Sequence, residues 1–211
     1  MRKTMPNVSK RVKVNLAIAN HQMEWWEREG GSKFLKKIGL RSGQKILDFG
    51  CRVGHYTIPA AKAVGNKGIV YAVDKESDAL NELSRKVTSH NLTNVRITKT
   101  SGQMKLPLEN EVIDVVLFYD VLHYFGADER IKLYHEAFRV LKQKGLLSVY
   151  PKHTADDSPL MELQHLQSTD IEREILSSGF QFERRCYGVI SHDDGLNKGC
   201  VLNFRKFVGK P

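Results

Sequence analysis

The sequence predicts a doubly wound α/β domain: a seven-stranded, mostly parallel sheet with an antiparallel last strand, preceded by N-terminal helices. Three observations predict it. Apolar runs of strand length alternate with stretches of helical period, the pattern of a parallel sheet covered on both faces. A glycine-bearing loop, "GCRVG" at 50–54, follows the first of those runs directly. The last two strand-like runs have no helix between them, so they must pair antiparallel as a hairpin.

The elements follow in order. "VNLAIANHQMEWWEREGGSKFLKKIGL" (14–40) reads as one or two helices broken at Gly30-Gly31. Trp25 and Trp26 are adjacent and cannot both face one point on a helix: either one covers a cofactor pocket or, the favoured reading, one packs and the other stays partly exposed. "KILDF" (45–49) is the first strand, and "HYTIPAAKAVG" a short helix ending at Gly65. "GIVYAVD" (68–74) is the second strand, followed by the helix "SDALNELSRKVTSH" with Ser77 as its N-cap. "NVRITKT" (94–100) is the third. "VIDVVLFYD" (112–120) is the most apolar and therefore central. Its helix begins near Ala127, places Ile131, Tyr134, Phe138 and Leu141 on one face, and stops at "KQKG", where Lys142 and Lys144 suit a helix C-terminus. "GLLSVYP" (145–151) is the fifth strand. The helix "STDIEREILSSGF" takes Ser168 or Thr169 as cap and ends at Gly179. "FQFERRCYGVI" and "GCVLNFRKF" then form the hairpin, joined by "SHDDGLNK".

A chain of 211 residues with 41% hydrophobic content can bury a core without disulfides or metals. No apolar run approaches a membrane span, and the basic N-terminus lacks the apolar region of a secretory signal, so a cytoplasmic protein is expected. The three cysteines form no CxxC pair, which argues against a disulfide framework or a cysteine-based zinc site. The net charge of +9 is unevenly placed: 11 Lys/Arg against 3 Asp/Glu in residues 1–45, 16 against 19 in 46–183, and 6 against 2 in 184–211. Such basic ends can meet an anionic partner or simply aid solubility, and the second reading is favoured.

Open parallel sheets bind ligands beyond the carboxyl ends of their strands, where the strand order reverses. After the first strand come Asp48, Gly50, Arg52 and Gly54, with the next helix offering free N–H groups to an anionic group. After the second comes Asp74, whose carboxylate can accept two hydrogen bonds from a ribose. A glycine loop plus an Asp is shared by dehydrogenases and methyltransferases. The terminal hairpin separates them.

From about residue 45 onward the sequence resembles the class I S-adenosylmethionine-dependent methyltransferases, with their Rossmann-like sheet. "ILDFGCRVG" is similar to the family's first motif, an acidic residue followed by G-C-G-x-G. "VYAVDKE" is similar to its second, and "KLPLENEVIDVVLFYDVLHYF" to the Leu-Pro, Phe-Asp and Val-Leu-His-His succession of small-molecule members. "EAFRVLKQKGLLSV" resembles the family's helix into strand five. Within the class, these motifs look like the ubiquinone/menaquinone-type group. The resemblance implies a basic helical segment (1–44) covering the site and a cofactor-binding domain over 45–211. It implies S-adenosylmethionine as cofactor, held by Asp48, Gly50, Cys51, Arg52, Gly54, Tyr56, Asp74 and Lys75, with Gln103, Met104 and Tyr119 completing the site.

Two positions depart from the pattern. Arg52 stands where the family carries glycine; it could pair with the cofactor's carboxylate, point away while its backbone stays near, or obstruct the pocket. After strand three, where an acid often receives the adenine amine, the chain has Gln103, which can still accept, and Met104, which can lie against the ring. Methyl transfer from a sulfonium is an in-line displacement that needs positioning, and a general base only if the acceptor must lose a proton. Tyr119, Asp120, His123 and Tyr124 stand where methyl group and acceptor should meet. His123 reads equally as a base or as a packed helix residue, and Asp120 as a partner of cofactor or backbone.

No metal is expected: His153, Asp156 and Asp157 read as a polar loop, and His192, Asp193 and Asp194 as the hairpin turn. The expected acceptor is a small molecule. An RNA methyltransferase and a non-catalytic cofactor-binding protein are the alternatives, suggested by the basic ends and by Arg52. Nucleic acid is not favoured, because no Asn/Asp-Pro-Pro-Tyr follows strand four.

Overall fold

Residues 115–118, Val-Val-Leu-Phe, are fully buried, and that requires a partner on both edges and cover on both faces. The computed structural model describes residues 19–102, 104–106 and 108–207, and among these it supplies both. The strands are β1 (Lys45–Phe49), β2 (Ile69–Asp74), β3 (Val95–Lys99), β4 (Ile113–Tyr119), β5 (Leu141–Tyr150), β6 (Phe180–His192) and β7 (Gly195–Lys206). They form one sheet in the order β3-β2-β1-β4-β5-β7-β6. β1 to β5 run parallel, with Ile46 opposite Val115 and Lys45 opposite Ile69, and β7 lies antiparallel to both β5 and β6. The order reverses between β1 and β4, which puts the ligand-binding crevice at the carboxyl ends of those two strands.

Helices cover the sheet: α1 (Gly31–Ile38), α2 (Thr57–Val64), α3 (Ser77–Ser89), α4 (Ala127–Val140) and α5 (Ser168–Ser177). One face packs Leu133, Tyr134, Ala137 and Val140 of α4 and Ile171 and Ile175 of α5 onto Phe118, Leu147 and Phe204. The other packs Phe34, Leu35 and Ile38 of α1 and Ala60 and Val64 of α2 onto Ile46, Val115 and Leu146. Burying a Leu or Phe on either face contributes about 1.5–3 kcal/mol. The sheet is therefore held from both sides at once.

Several boundaries differ from expectation. Gly30-Gly31 does not break the N-terminal helix: residues 19–25 are helical and run through a π-helical turn (Trp26–Gly30) into α1, with both glycines in ordinary helical geometry. The glycines serve close approach instead, since a Cβ on Gly31 would sit 2.6 Å from the Pro59 side chain of α2. Residues 14–18 of the expected helix lie outside the described residues. Trp26 is buried and Trp25 is 40% exposed, the division expected for adjacent tryptophans.

The cap of α3 is Glu76, with Ser77 already helical, and α5 is capped by Gln167, where the Asp170 carboxylate accepts the Gln167 N–H at 2.7 Å. The Ser168 hydroxyl instead donates to Asp156. Leu141 has left α4 and opens β5, while Ile131 and Phe138 are only partly buried. Lys142 donates to Asp114 across the sheet at 2.8 Å rather than to the end of α4, because β5 begins four residues before Gly145. The hairpin is longer than expected, with His192 paired to Gly195 and only Asp193-Asp194 in the turn.

Candidate active site

A cavity of about 450 Å³ opens at the reversal point, within the usual range for small-ligand pockets. Its walls come from the carboxyl ends of four strands: Phe49, Gly50 and Arg52 after β1, Val73 to Glu76 after β2, Thr100 and Gly102 after β3, and Asp120, Val121, Tyr124 and Phe125 after β4. Glu129 of α4 closes the rim. The apolar walls are Phe49, Val73, Val121 and Phe125, and the polar groups converge from the loops.

The glycine loop is built from left-handed backbone. Gly50 has φ +75° and Gly54 φ +89°, and a Cβ on either would run into Val121 or Leu83 respectively. Arg52 has φ +44°, so it occupies a position that favours glycine, which explains the departure as a strained but tolerated residue. Its backbone N–H donates to Asp74 Oδ2 at 2.8 Å, and the Glu76 N–H donates to Oδ1 at 3.0 Å. The buried Asp74 carboxylate thus ties the β1 loop to the start of α3 and keeps lone pairs on the pocket. The Arg52 guanidinium reaches Asp193 at the hairpin tip, 3.6 Å away and largely exposed. Arg52→Gly is accordingly expected to change cofactor affinity by less than threefold in calorimetry. It should leave unfolding stability within about 1 kcal/mol of wild type, because relief of the left-handed strain is offset by the entropy of an added glycine. A tenfold loss of affinity would instead make the guanidinium a ligand.

Other expected residues sit behind the loop. Asp48 is buried and accepts the Thr57 hydroxyl at 2.5 Å; burial pushes its carboxyl up to about 7, the Thr57 bond opposes that rise, and the Asp74 charge adds to it. Cys51 packs among Ile58, Ala72 and Leu83, and burial drives its thiol up, so it is an inert packing residue. Tyr56 and Tyr119 stack edge-on at 4.6 Å beneath the sheet's end, with Tyr56 donating to the Ser191 carbonyl and the Tyr119 hydroxyl 2.8 Å from Ser148 Oγ. Met104 packs against the core cluster. None of these five lines the cavity, and neither does Gly54; of the expected cofactor residues, Gly50, Arg52, Asp74 and Lys75 do. Gln103 lies outside the described residues. Phe49, Val73, Glu76, Thr100, Val121, Phe125 and Glu129 were not foreseen, and all but Glu129 lie at or beyond the carboxyl end of a strand, which is the signal they share.

Among the described residues of 19–44, none lines the cavity. The helix there grips the loop from outside: the Trp26 indole donates to the His55 carbonyl at 2.8 Å, and Glu27 accepts from Lys86 of α3 at 2.7 Å.

On the β4 side, Asp120 lines the pocket in left-handed geometry at φ +54°. Burial raises its carboxyl above the ordinary value, opposed by the His192 hydrogen bond. His123 is buried in a 3₁₀ turn (Leu122–Tyr124), and burial lowers its pKa to about 4. Tyr124, 53% exposed, lies against its ring with centroids 4.0 Å apart and lines the cavity, which His123 does not. His123 therefore packs under the site, while Asp120 and Tyr124 face it. The structure also brings His153 and His192 to Asp120. The sequence predicts them in a polar loop and a turn, which hides that the fold joins them. Asp156 instead holds Ser168 and Thr154, and Asp157 pairs with Lys152.

Residues 46–145 match the family described as methyltransferase domain. The chain carries a class I methyltransferase domain. Over 119 residues it is 31% identical to the probable cobalt-precorrin-6B C(15)-methyltransferase (decarboxylating) of Saccharolobus solfataricus, covering 56% of this chain and 57% of that one. Over 118 residues it is 31% identical to the demethylmenaquinone methyltransferase of Lactobacillus johnsonii, covering 56% and 47%. The chain spans about half the length of the curated relatives it matches. A crystal structure of a SAM-dependent methyltransferase from Aquifex aeolicus superposes with a TM-score of 0.69 at 24% identity, covering 86% of this chain and 92% of that one, a likeness of fold. The methyltransferase domain begins one residue into β1 and ends within β5, so the matched segment holds the glycine loop, Asp74 and Asp120 together. The β6–β7 hairpin, which brings His192, lies beyond it.

Proposed function

We propose that this methyltransferase domain transfers a methyl group from S-adenosylmethionine to a small-molecule acceptor. The observation that carries the reading is the Asp74 carboxylate, fixed by two backbone N–H bonds at the reversal point and facing a cavity of nucleoside size. Residues present fit the cofactor. Gly50 leaves room that a Cβ would fill, Asp74 offers acceptors for ribose hydroxyls, and Phe49, Val73, Val121 and Phe125 offer apolar surface for a ring. When bound, the cofactor supplies an electrophilic methyl group on a sulfonium.

The protein's own part is positioning and exclusion of water. Gly50 and Asp74 set the depth and rotation of the nucleoside. Phe125 and Val121 dry the wall beside it. Asp120 and Tyr124, which line the same cavity as Asp74 but come from the end of β4, are the polar groups offered to orient an acceptor. The named relatives act on a precorrin and on demethylmenaquinone, which supports a small-molecule acceptor over RNA. No helix of the described residues is long and apolar enough to cross a membrane.

Calorimetry with S-adenosylmethionine tests the cofactor: saturable binding is expected, and no detectable heat at millimolar cofactor sinks the proposal. Incubation with methyl-labelled cofactor and cell extract tests the acceptor class. Label should appear in the low-mass fraction, and label confined to RNA would overturn the small-molecule reading.

A further inference from the structure

We propose that Asp120, His153 and His192 form a binding site for a divalent first-row transition metal at the edge of the cofactor cavity. Three separate elements deliver them: the end of β4, the loop after β5 and the end of β6. One ligand atom from each lies within 4.8 Å of the others. His192 Nδ1 is 2.5 Å from Asp120 Oδ2, and His153 Nε2 is 3.6 Å from Asp120 Oδ1. Metal–ligand bonds of about 2.0–2.2 Å in tetrahedral geometry require ligand atoms about 3.4 Å apart, so small side-chain adjustments bring the set to bonding distance.

Proton positions sharpen the case. His153 Nδ1 is 2.9 Å from the Ser158 carbonyl oxygen, which can only accept, so Nδ1 carries the hydrogen. In the neutral ring Nε2 then turns a lone pair toward Asp120 Oδ1. That oxygen is buried without any hydrogen-bond partner, and 3.6 Å is too long for one. A cation between the two resolves the lone-pair opposition. A ring nitrogen donating to a backbone carbonyl is also how metal-bound histidines are oriented. His192 differs: its Nδ1 donates to Asp120 Oδ2 at 2.5 Å, and a bound metal would displace that proton to solvent and take its place between the two atoms.

His123 gives an independent sign of a missing ligand. It is 3% exposed, its Nδ1 has no partner, and that atom stands 3.7 Å from the same orphaned Asp120 oxygen. Three imidazoles thus surround one carboxylate, with ring centroids 4.5 Å and 4.9 Å apart along the series His123, His153, His192. Imidazole with a single carboxylate suits Zn²⁺, Fe²⁺, Co²⁺ or Ni²⁺ over Mg²⁺ or Ca²⁺, which prefer all-oxygen sets. Three protein ligands leave coordination positions open, and one of the three, Asp120, also lines the cavity. A metal there would hold an acceptor through an oxygen, nitrogen or sulfur atom and lower that atom's pKa.

The test uses the full chain stripped with a chelator and titrated with Zn²⁺ or Co²⁺, read by calorimetry and by the visible ligand-field spectrum of Co²⁺. Expected is a single ion per chain, on the order of micromolar affinity or tighter, with a Co²⁺ spectrum of low coordination number. Asp120→Asn, which keeps the side chain's shape, and His192→Gln should each weaken binding at least 100-fold, while exposed His135→Ala binds as wild type. Absence of saturable binding by the folded wild-type chain overturns the site. So does affinity unchanged in both variants, or lost equally in His135→Ala. None of these readouts depends on methyl transfer, so the site and the proposed activity fail separately.

Discussion

Asp74→Ala is expected to weaken S-adenosylmethionine binding about 100-fold. Two ribose hydroxyls donating to one carboxylate contribute about 1.5 kcal/mol each at the low end for bonds to a charged group, and about 3 kcal/mol corresponds to that factor. The carboxylate has a second task. The Arg52 and Glu76 N–H groups both end on it, so removing it leaves two donors to find water and frees the left-handed turn at Arg52. Asp74→Asn separates the two effects. It retains one oxygen, keeps one backbone bond, and should lose about tenfold in affinity with a smaller loss of stability. Calorimetry measures affinity and urea unfolding measures stability. Affinity within threefold of wild type in Asp74→Ala would remove Asp74 from the site.

What was legible in the sequence follows from which interactions are local. β1, β2 and β4 begin and end within a residue or two of their apolar runs, because a doubly covered strand has few polar positions to blur them. The glycine loop was legible because left-handed backbone leaves a mark in residue type, and Arg52 obscured it only by holding that geometry without being glycine. Helix caps were not: Gln167 and Glu76 cap α5 and α3 where serines one residue later looked better, because the packing of each helix sets where it starts. The apolar cavity walls use the same residue types as the core, so no pattern separates Phe49 from Leu47. The histidine cluster was least legible. Asp120 and His192 are 72 residues apart and meet only because β7 inserts between β5 and β6 and returns the end of β6 to the end of β4.

Asp48→Asn should remove the part of the pH dependence of stability that Asp48 contributes between pH 4 and 7, leaving the opposite contribution of the buried His123, whose pKa is lowered to about 4. Asp48 is buried behind the glycine loop with its carboxyl at about 7, whereas an unfolded Asp titrates at about 3.9. Because the folded value is the higher, the folded state holds a proton that the unfolded state has released throughout that window. Stability from this group is complete below pH 4 and is lost as pH rises through 7, by about 4 kcal/mol in all. Asparagine keeps the shape and an acceptor for the Thr57 hydroxyl but cannot ionise. Urea unfolding at pH 4 should therefore give similar midpoints for the two proteins, and at pH 8 a higher midpoint for Asp48→Asn; parallel curves would show that Asp48 ionises freely. The same proton links to binding. A sulfonium cation entering the cavity favours the ionised carboxylate beneath the loop, so cofactor binding at pH 6 should release protons from the wild type. The binding enthalpy would then vary with the ionisation enthalpy of the buffer, and in Asp48→Asn that variation should disappear.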